Sequence, residues 1–149
     1  MNPQPKSPVI LMADDDADDR LLAKDALTEC GLAHDLHCVE NGEELMNFLH
    51  RRGAYSQPGR APRPNLILLD LNMPRKDGRE ALREIKADPE LRNIPVVVLT
   101  TSKADTDIGK IYQLGANSFI AKPVSFEALI KVMQTLRNYW FEIVELPQK

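Results

Sequence analysis

Cysteine is scarce in this chain of 149 residues: Cys30 and Cys38 are the whole supply. Two thiols without ligand-like spacing make no zinc site. They fall at a helix end before Gly31 and in a strand, so no disulfide framework is expected. The three histidines, His34, His37 and His50, show no ligand spacing with one another or with the cysteines. No stretch approaches the length of a membrane span, and the opening Met1-Asn2-Pro3-Gln4-Pro5-Lys6 lacks the apolar core of a signal peptide, so a cytoplasmic protein without membrane attachment is expected. A formal net charge of −3 exerts no overall pull on nucleic acid, and no such partner is expected. A chain this long buries one core and leaves no room for a second domain of usual size.

Also missing is a glycine-rich, phosphate-cradling loop after the first apolar run. Asp14-Asp15-Asp16 stands there instead and would repel a nucleotide or flavin phosphate.

What the chain does have is a set of short apolar runs, each ending in a polar group. Leu66-Ile67-Leu68-Leu69 closes on Asp70, and Leu71-Asn72-Met73-Pro74 follows, where Pro74 cannot donate to a sheet. A short, wholly apolar run ended by proline reads as a strand buried on both faces of a parallel sheet. Val9–Ala13 runs into Asp14-Asp15, Val96–Leu99 into Thr100-Thr101, and Phe119–Ala121 into Lys122-Pro123. In a parallel sheet the carboxyl ends of the strands share one edge. Three carboxylates, a hydroxyl and one ammonium therefore converge there, a constellation suited to holding a phosphoryl group.

Strand and helix patterns alternate five times, which predicts an α/β fold with helices on both faces of the sheet. Helices are expected at about Ala17–Cys30, with Leu21, Leu22 and Leu27 among its apolar positions, then Glu43–Arg52, Arg79–Ala87, Asp105–Leu114 and from Ser125 onward. A strand is expected at Asp35–Val39, before the Asn41-Gly42 turn. Met1–Pro8, with three prolines, is expected to be a loose tail. Gly53–Asn65 is long for a connection and lies at the end of the sheet opposite the acids, so it is expected to be slack.

The acids sort by position. Asp16 is placed to cap the first helix, and Asp18 and Asp19 fall in its first turn, where the macrodipole favours negative charge. Only Asp14 and Asp15 belong to the strand end. Carboxylates about 4 Å apart repel by roughly 4 kcal/mol per pair at an effective dielectric near 20, so the site needs cations. Lys122 and magnesium are the candidates, since every ligand on offer is a hard oxygen.

From Val9 to Arg137 the chain resembles the receiver domains of bacterial two-component response regulators. The matching positions are Asp14-Asp15, Asp70 through Pro74 with Asp77-Gly78 after it, Thr100, Phe119 and Lys122-Pro123. The resemblance implies a five-stranded parallel sheet in the order 2-1-3-4-5, flanked by five helices. It implies that Asp70 accepts a phosphoryl group from a sensor histidine kinase. It implies Mg2+ held by the Asp15 and Asp70 carboxylates and the Asn72 backbone carbonyl, with Asp14 acting mostly through water. Lys122 and the Thr100 hydroxyl would take phosphoryl oxygens. Thr100 and Phe119 would form the switch, and the Lys122–Pro123 bond would be cis. The protein would be a signalling protein and no separate enzyme. A dehalogenase-type phosphatase, also built on a strand-end aspartate, needs a second acid two residues on, where Asn72 stands. A stand-alone receiver serving as relay or phosphate sink for another kinase is the alternative within the family.

The segment Tyr139–Pro147, within residues 138–149, resembles the tail of single-domain regulators paired with bacterial phytochrome kinases, as does the long Arg- and Pro-containing loop. Apolar residues recur at Phe126, Leu129, Ile130, Met133, Leu136, Trp140 and Ile143. One sheet covers only part of so long a stripe. A homodimer is expected, with Phe126, Met133, Trp140, Phe141, Ile143 and Val144 among its contacts.

Overall fold

The computed structural model describes residues 8–30, 35–100, 109, 112–123 and 125–138, Thr100 by its backbone alone. Five strands, β1 (Val9–Ala13), β2 (Asp35–Val39), β3 (Leu66–Leu69), β4 (Val96–Thr100) and β5 (Ser118–Ala121), form one sheet in the order β2-β1-β3-β4-β5. Every pairing is parallel. Among the described residues there are four α-helices: α1 (Ala17–Glu29), α2 (Gly42–His50), α3 (Gly78–Ala87) and α4 (Phe126–Leu136). Most of the helix expected at 105–114 lies outside the described residues, as do residues 1–7 of the expected tail, Gly31, Thr101, Trp140, Phe141, Ile143 and Val144.

The continuous apolar runs are explained by two cores. Leu11, Ala13, Ile67, Leu69, Val96 and Val98 point to one face and pack with Leu45, Met46 and Phe48 of α2 and with Ala81, Leu82 and Ile85 of α3. Ile10, Met12, Leu66, Leu68, Val97 and Leu99 point to the other, with Ala23, Ala26 and Leu27 of α1 and Met133 and Leu136 of α4. Neighbouring residues alternate between faces, so a strand covered on both sides needs no polar position. An Arg137 Nη1 donor to the Cys30 carbonyl, 3.0 Å away, ties the ends of α1 and α4.

Four expectations are corrected. Leu21 and Leu22 are 57% and 41% exposed, and the buried face of α1 is Ala23, Ala26 and Leu27. At 100° per residue Leu21 points roughly 170° away from that face and Leu22 roughly 90°. Met133, expected to meet a second chain, is fully buried in its own domain, because α4 turns that side toward the sheet. Phe126, by contrast, is 38% exposed.

The long loop after α2 is fastened. Arg51 Nε donates to the Ala61 carbonyl at 2.9 Å, Arg63 Nη1 to the Glu90 carbonyl at 2.6 Å, and the Tyr55 hydroxyl to Glu44 at 3.2 Å. Tyr55 also packs on the Phe48 ring, and Ala61 is buried. The Lys122–Pro123 bond, expected cis, is trans, for no peptide bond is cis among the described residues. Trans is the lower-energy isomer of an X–Pro bond, and the long lysine stem reaches the carboxylates from it.

Candidate metal centre at the carboxyl end of the sheet

Two acids are carried directly past strand ends by the sheet's own hydrogen bonds. Asp14 N–H donates to the Val39 carbonyl at 3.1 Å and Asp70 N–H to the Ala13 carbonyl at 2.9 Å. Asp14 is fully buried and Asp70 is 6% exposed. Asp15 beside them is exposed. One carboxylate oxygen from each of Asp14, Asp15 and Asp70 lies within 4.8 Å of the others.

The ammonium of Lys122 arrives from the end of β5. Its Nζ is 2.7 Å from Asp14 Oδ2, 2.7 Å from Asp19 Oδ2 and 3.2 Å from Asp70 Oδ2. Burial draws the lysine toward its neutral form, but its hydrogen bonds to Asp14 and Asp19 and the fields of Asp14 and Asp70 outweigh it. The amine is held above the ordinary lysine value. Asp14 moves the other way from a normal acid: burial raises its pKa, and the bonds from Lys122 and the Asp16 amide offset this only in part.

Three carboxylates thus share one ammonium, and a fourth, Asp15, stands beside two of them. This donor set, all oxygen and short of positive charge, fits a hard divalent cation.

Local sequence explains the placing of the rest. Asp16 caps α1 by accepting from the Asp18 and Asp19 amides, as expected. The Asp70 Oδ1 atom accepts from the Asn72 N–H at 3.2 Å, which curls the chain past β3. Two glycines allow that curl to close. A Cβ on Gly78 would lie 2.4 Å from the Asp70 carbonyl oxygen, and one on Gly42 would lie 2.1 Å from the Lys76 carbonyl oxygen. Asp77 then caps α3 by accepting from Arg79 N at 2.7 Å.

Thr100 ends β4, in register with Ala121 one residue before Lys122, and its side chain lies outside the description. Phe119 sits in β5, half-buried against the core on the α2–α3 face, and its N–H donates to the Tyr112 hydroxyl at 3.1 Å. Pro123 lines a small cavity between α1 and α4.

Asp19 is the residue that sequence reasoning missed. Its place in the first turn of α1 explained its charge through the helix dipole alone. The overlooked signal is spacing: Asp19, Ala23 and Leu27 fall four apart on one stripe, and Ala23 and Leu27 are buried against the sheet.

The model of the response regulator receiver domain matches residues 10–134. Response regulator Rcp1 of Synechocystis sp. is 43% identical over 139 residues, 93% of this chain and 92% of that protein. The crystal structure of the phosphorylated cyanobacterial phytochrome response regulator RcpA superposes with a TM-score of 0.88 at 39% identity, covering 96% of this chain and 100% of that one. The Mn2+-bound form of Rcp1 gives a TM-score of 0.85 at 42% identity, covering 95% and 99%.

Proposed function

Since this chain belongs to the response regulator receiver domain family, we propose that Asp70 is its phosphoacceptor and a phosphohistidine of a sensor kinase its donor. One observation carries the reading: the buried Asp70 carboxylate clusters with those of Asp14 and Asp15 and has the Lys122 ammonium 3.2 Å away. An Asp70 oxygen forms the new bond to phosphorus as the donor's P–N bond breaks, and the aspartate becomes an acyl phosphate. Lys122 neutralises charge on one phosphoryl oxygen, and the hydroxyl of Thr100 takes another.

Asp15, Asp70 and the Asn72 carbonyl would hold Mg2+, with Asp14 acting mostly through water; Rcp1, which also holds a divalent ion, supports this assignment. When bound, the ion supplies positive charge to the transferring phosphoryl group. Without it the carboxylates repel one another and the incoming phosphate alike.

Phe119 fits the switch role, since it is half-buried on the strand adjoining Thr100 and carries no hydroxyl that needs a partner on moving inward. A fifth helix in the stretch 105–114 completes the receiver architecture. The likeness to Rcp1 and RcpA supports a phytochrome kinase as the partner. The reading is of a cytoplasmic signalling protein, and no helix among the described residues is long and apolar enough to cross a membrane. A homodimer through Phe126, Trp140, Phe141, Ile143 and Val144 belongs to the same proposal.

Incubation with autophosphorylated phytochrome kinases tests the reading. Transfer of label to the intact protein, absent in Asp70→Asn, is the expected result. Labelling of both alike would refute it.

A further inference from the structure

From the placement of Asp19, we infer that this side chain selects among phosphodonors by the charge of the group they expel. The inference rests on Asp70 being the phosphoacceptor. Of the three carboxylates on the Lys122 ammonium, Asp14 and Asp70 have side chains 0% and 7% exposed, while that of Asp19 is 34% exposed. Asp19 is therefore the acid on the solvent side of the cation. It also lines, with Lys122, Leu22, Leu99 and Phe126, a cavity of about 90 Å3 between α1 and α4. Leu22 and Phe126 are themselves open to solvent, so the cavity is an approach to the ammonium, and a donor using it passes a fixed negative charge on the way.

The consequence depends on the bond broken. In every case an Asp70 oxygen supplies the electron pair of the new O–P bond, and the donor's old bond to phosphorus keeps its pair on the departing atom. Acetyl phosphate breaks a P–O bond and releases acetate, so a full negative charge grows on the departing oxygen, in the field of Asp19. Phosphoramidate carries a proton on nitrogen beforehand, breaks its P–N bond and releases neutral ammonia. A phosphohistidine, also a P–N donor, expels an imidazole that likewise departs neutral once it is protonated. Asp19 therefore disfavours acyl phosphates and spares the phosphorus–nitrogen donors of a kinase. Two unit charges about 6 Å apart, at an effective dielectric between about 40 and 80, interact enough to change a rate by roughly threefold to tenfold.

The experiment uses the full chain with Mg2+ and follows labelling by intact-mass spectrometry under acetyl phosphate and under phosphoramidate. For Asp19→Asn, the ratio of the acetyl phosphate rate to the phosphoramidate rate is expected to rise by roughly threefold to tenfold. Asp19→Glu should return the ratio to that of the intact protein. Asp19→Ser serves as a second neutral variant should the amide not fold. Equal change with both donors would overturn the inference, because Asp19 would then only position Lys122. An intact protein that neither donor labels would overturn the phosphoacceptor reading itself, and the inference with it.

Discussion

At the amino end of the sheet the Lys86 ammonium donates to the Arg92 and Ile94 carbonyls at 3.1 and 3.0 Å, whereas at the carboxyl end the Lys122 ammonium faces three carboxylates within 3.2 Å. Among the described residues, every hydrogen-bond partner of Lys86 at the amino end is a neutral dipole. Asn65 Oδ1 accepts from Val9 N at 2.8 Å and Asn117 Oδ1 from Val96 N at 2.9 Å, so the first amides of β1 and β4 are satisfied by side chains. Arg51 and Arg63 likewise bond to backbone carbonyls. The carboxyl end instead crowds like charges around one cation. Dipoles satisfy one another without external help, while crowded carboxylates store repulsion that only a further cation relieves. One end of the fold is built for stability and the other for what it binds.

The sharpest break of this contrast is Asp70→Asn. Phosphorylation by acetyl phosphate should disappear, as read by mass spectrometry. In buffer containing a chelator the same protein should melt higher than the parent, because one crowded carboxylate is gone. A lower melting point would mean that the Asp70–Lys122 pairing outweighs the repulsion.

Gly78→Ala attacks the backbone under the site. A Cβ set 2.4 Å from the Asp70 carbonyl oxygen cannot be accommodated without moving main chain. The expected cost is about 2–4 kcal/mol in urea unfolding, since backbone conflict belongs among the larger single-residue effects.

Magnesium should act on the carboxyl end alone. At a concentration about 100-fold above its Kd it should stabilise the protein by about 2.7 kcal/mol in thermal or urea melts. Asp15→Ala should lose most of that gain, and a melting point indifferent to the ion in the intact protein would sink the ligand assignment.

Lys86→Met tests the other end and should leave labelling rates unchanged while costing about 1 kcal/mol for the lost carbonyl bonds. Burial holds the Lys86 amine below the ordinary lysine value of 10.5. The folded form therefore gives up its proton first as pH rises. Between the folded value and 10.5 the unfolded chain binds more protons, so the Lys86 contribution to stability rises with pH there. That segment of the stability profile should flatten in the variant.

The sequence made the strand-end chemistry legible because a parallel sheet converts order along the chain into position along an edge. Asp14, Asp70 and Lys122 meet for that reason, and the strand bounds came out nearly as expected. Residues whose role depends on packing were harder to read. Met133 and Trp140 share one periodic stripe, and period alone cannot say where the sheet's cover ends. Leu21 looked as apolar as Leu27, yet small alanines let α1 lie close to the sheet on a different face. The loop after α2 looked slack because its anchors, Arg51 and Arg63, bond to the carbonyls of Ala61 and Glu90, acceptors that no residue pattern announces. Asp19 was hidden by an adequate local explanation, a helix start that favours any acid.

The tie between Arg137 and the Cys30 carbonyl spans 107 positions of sequence and joins the helices that cover one face of the sheet. A ribosome delivers α1 early and α4 after every strand. Until the last turn of α4 has emerged, Ile10, Met12, Leu68 and Val97 lie under half a roof. Exposed strand faces of this kind are what make partly folded chains stick to one another. The order of synthesis thus leaves this face half covered until α4 has emerged, and a slow stretch of message near the end would lengthen that exposure.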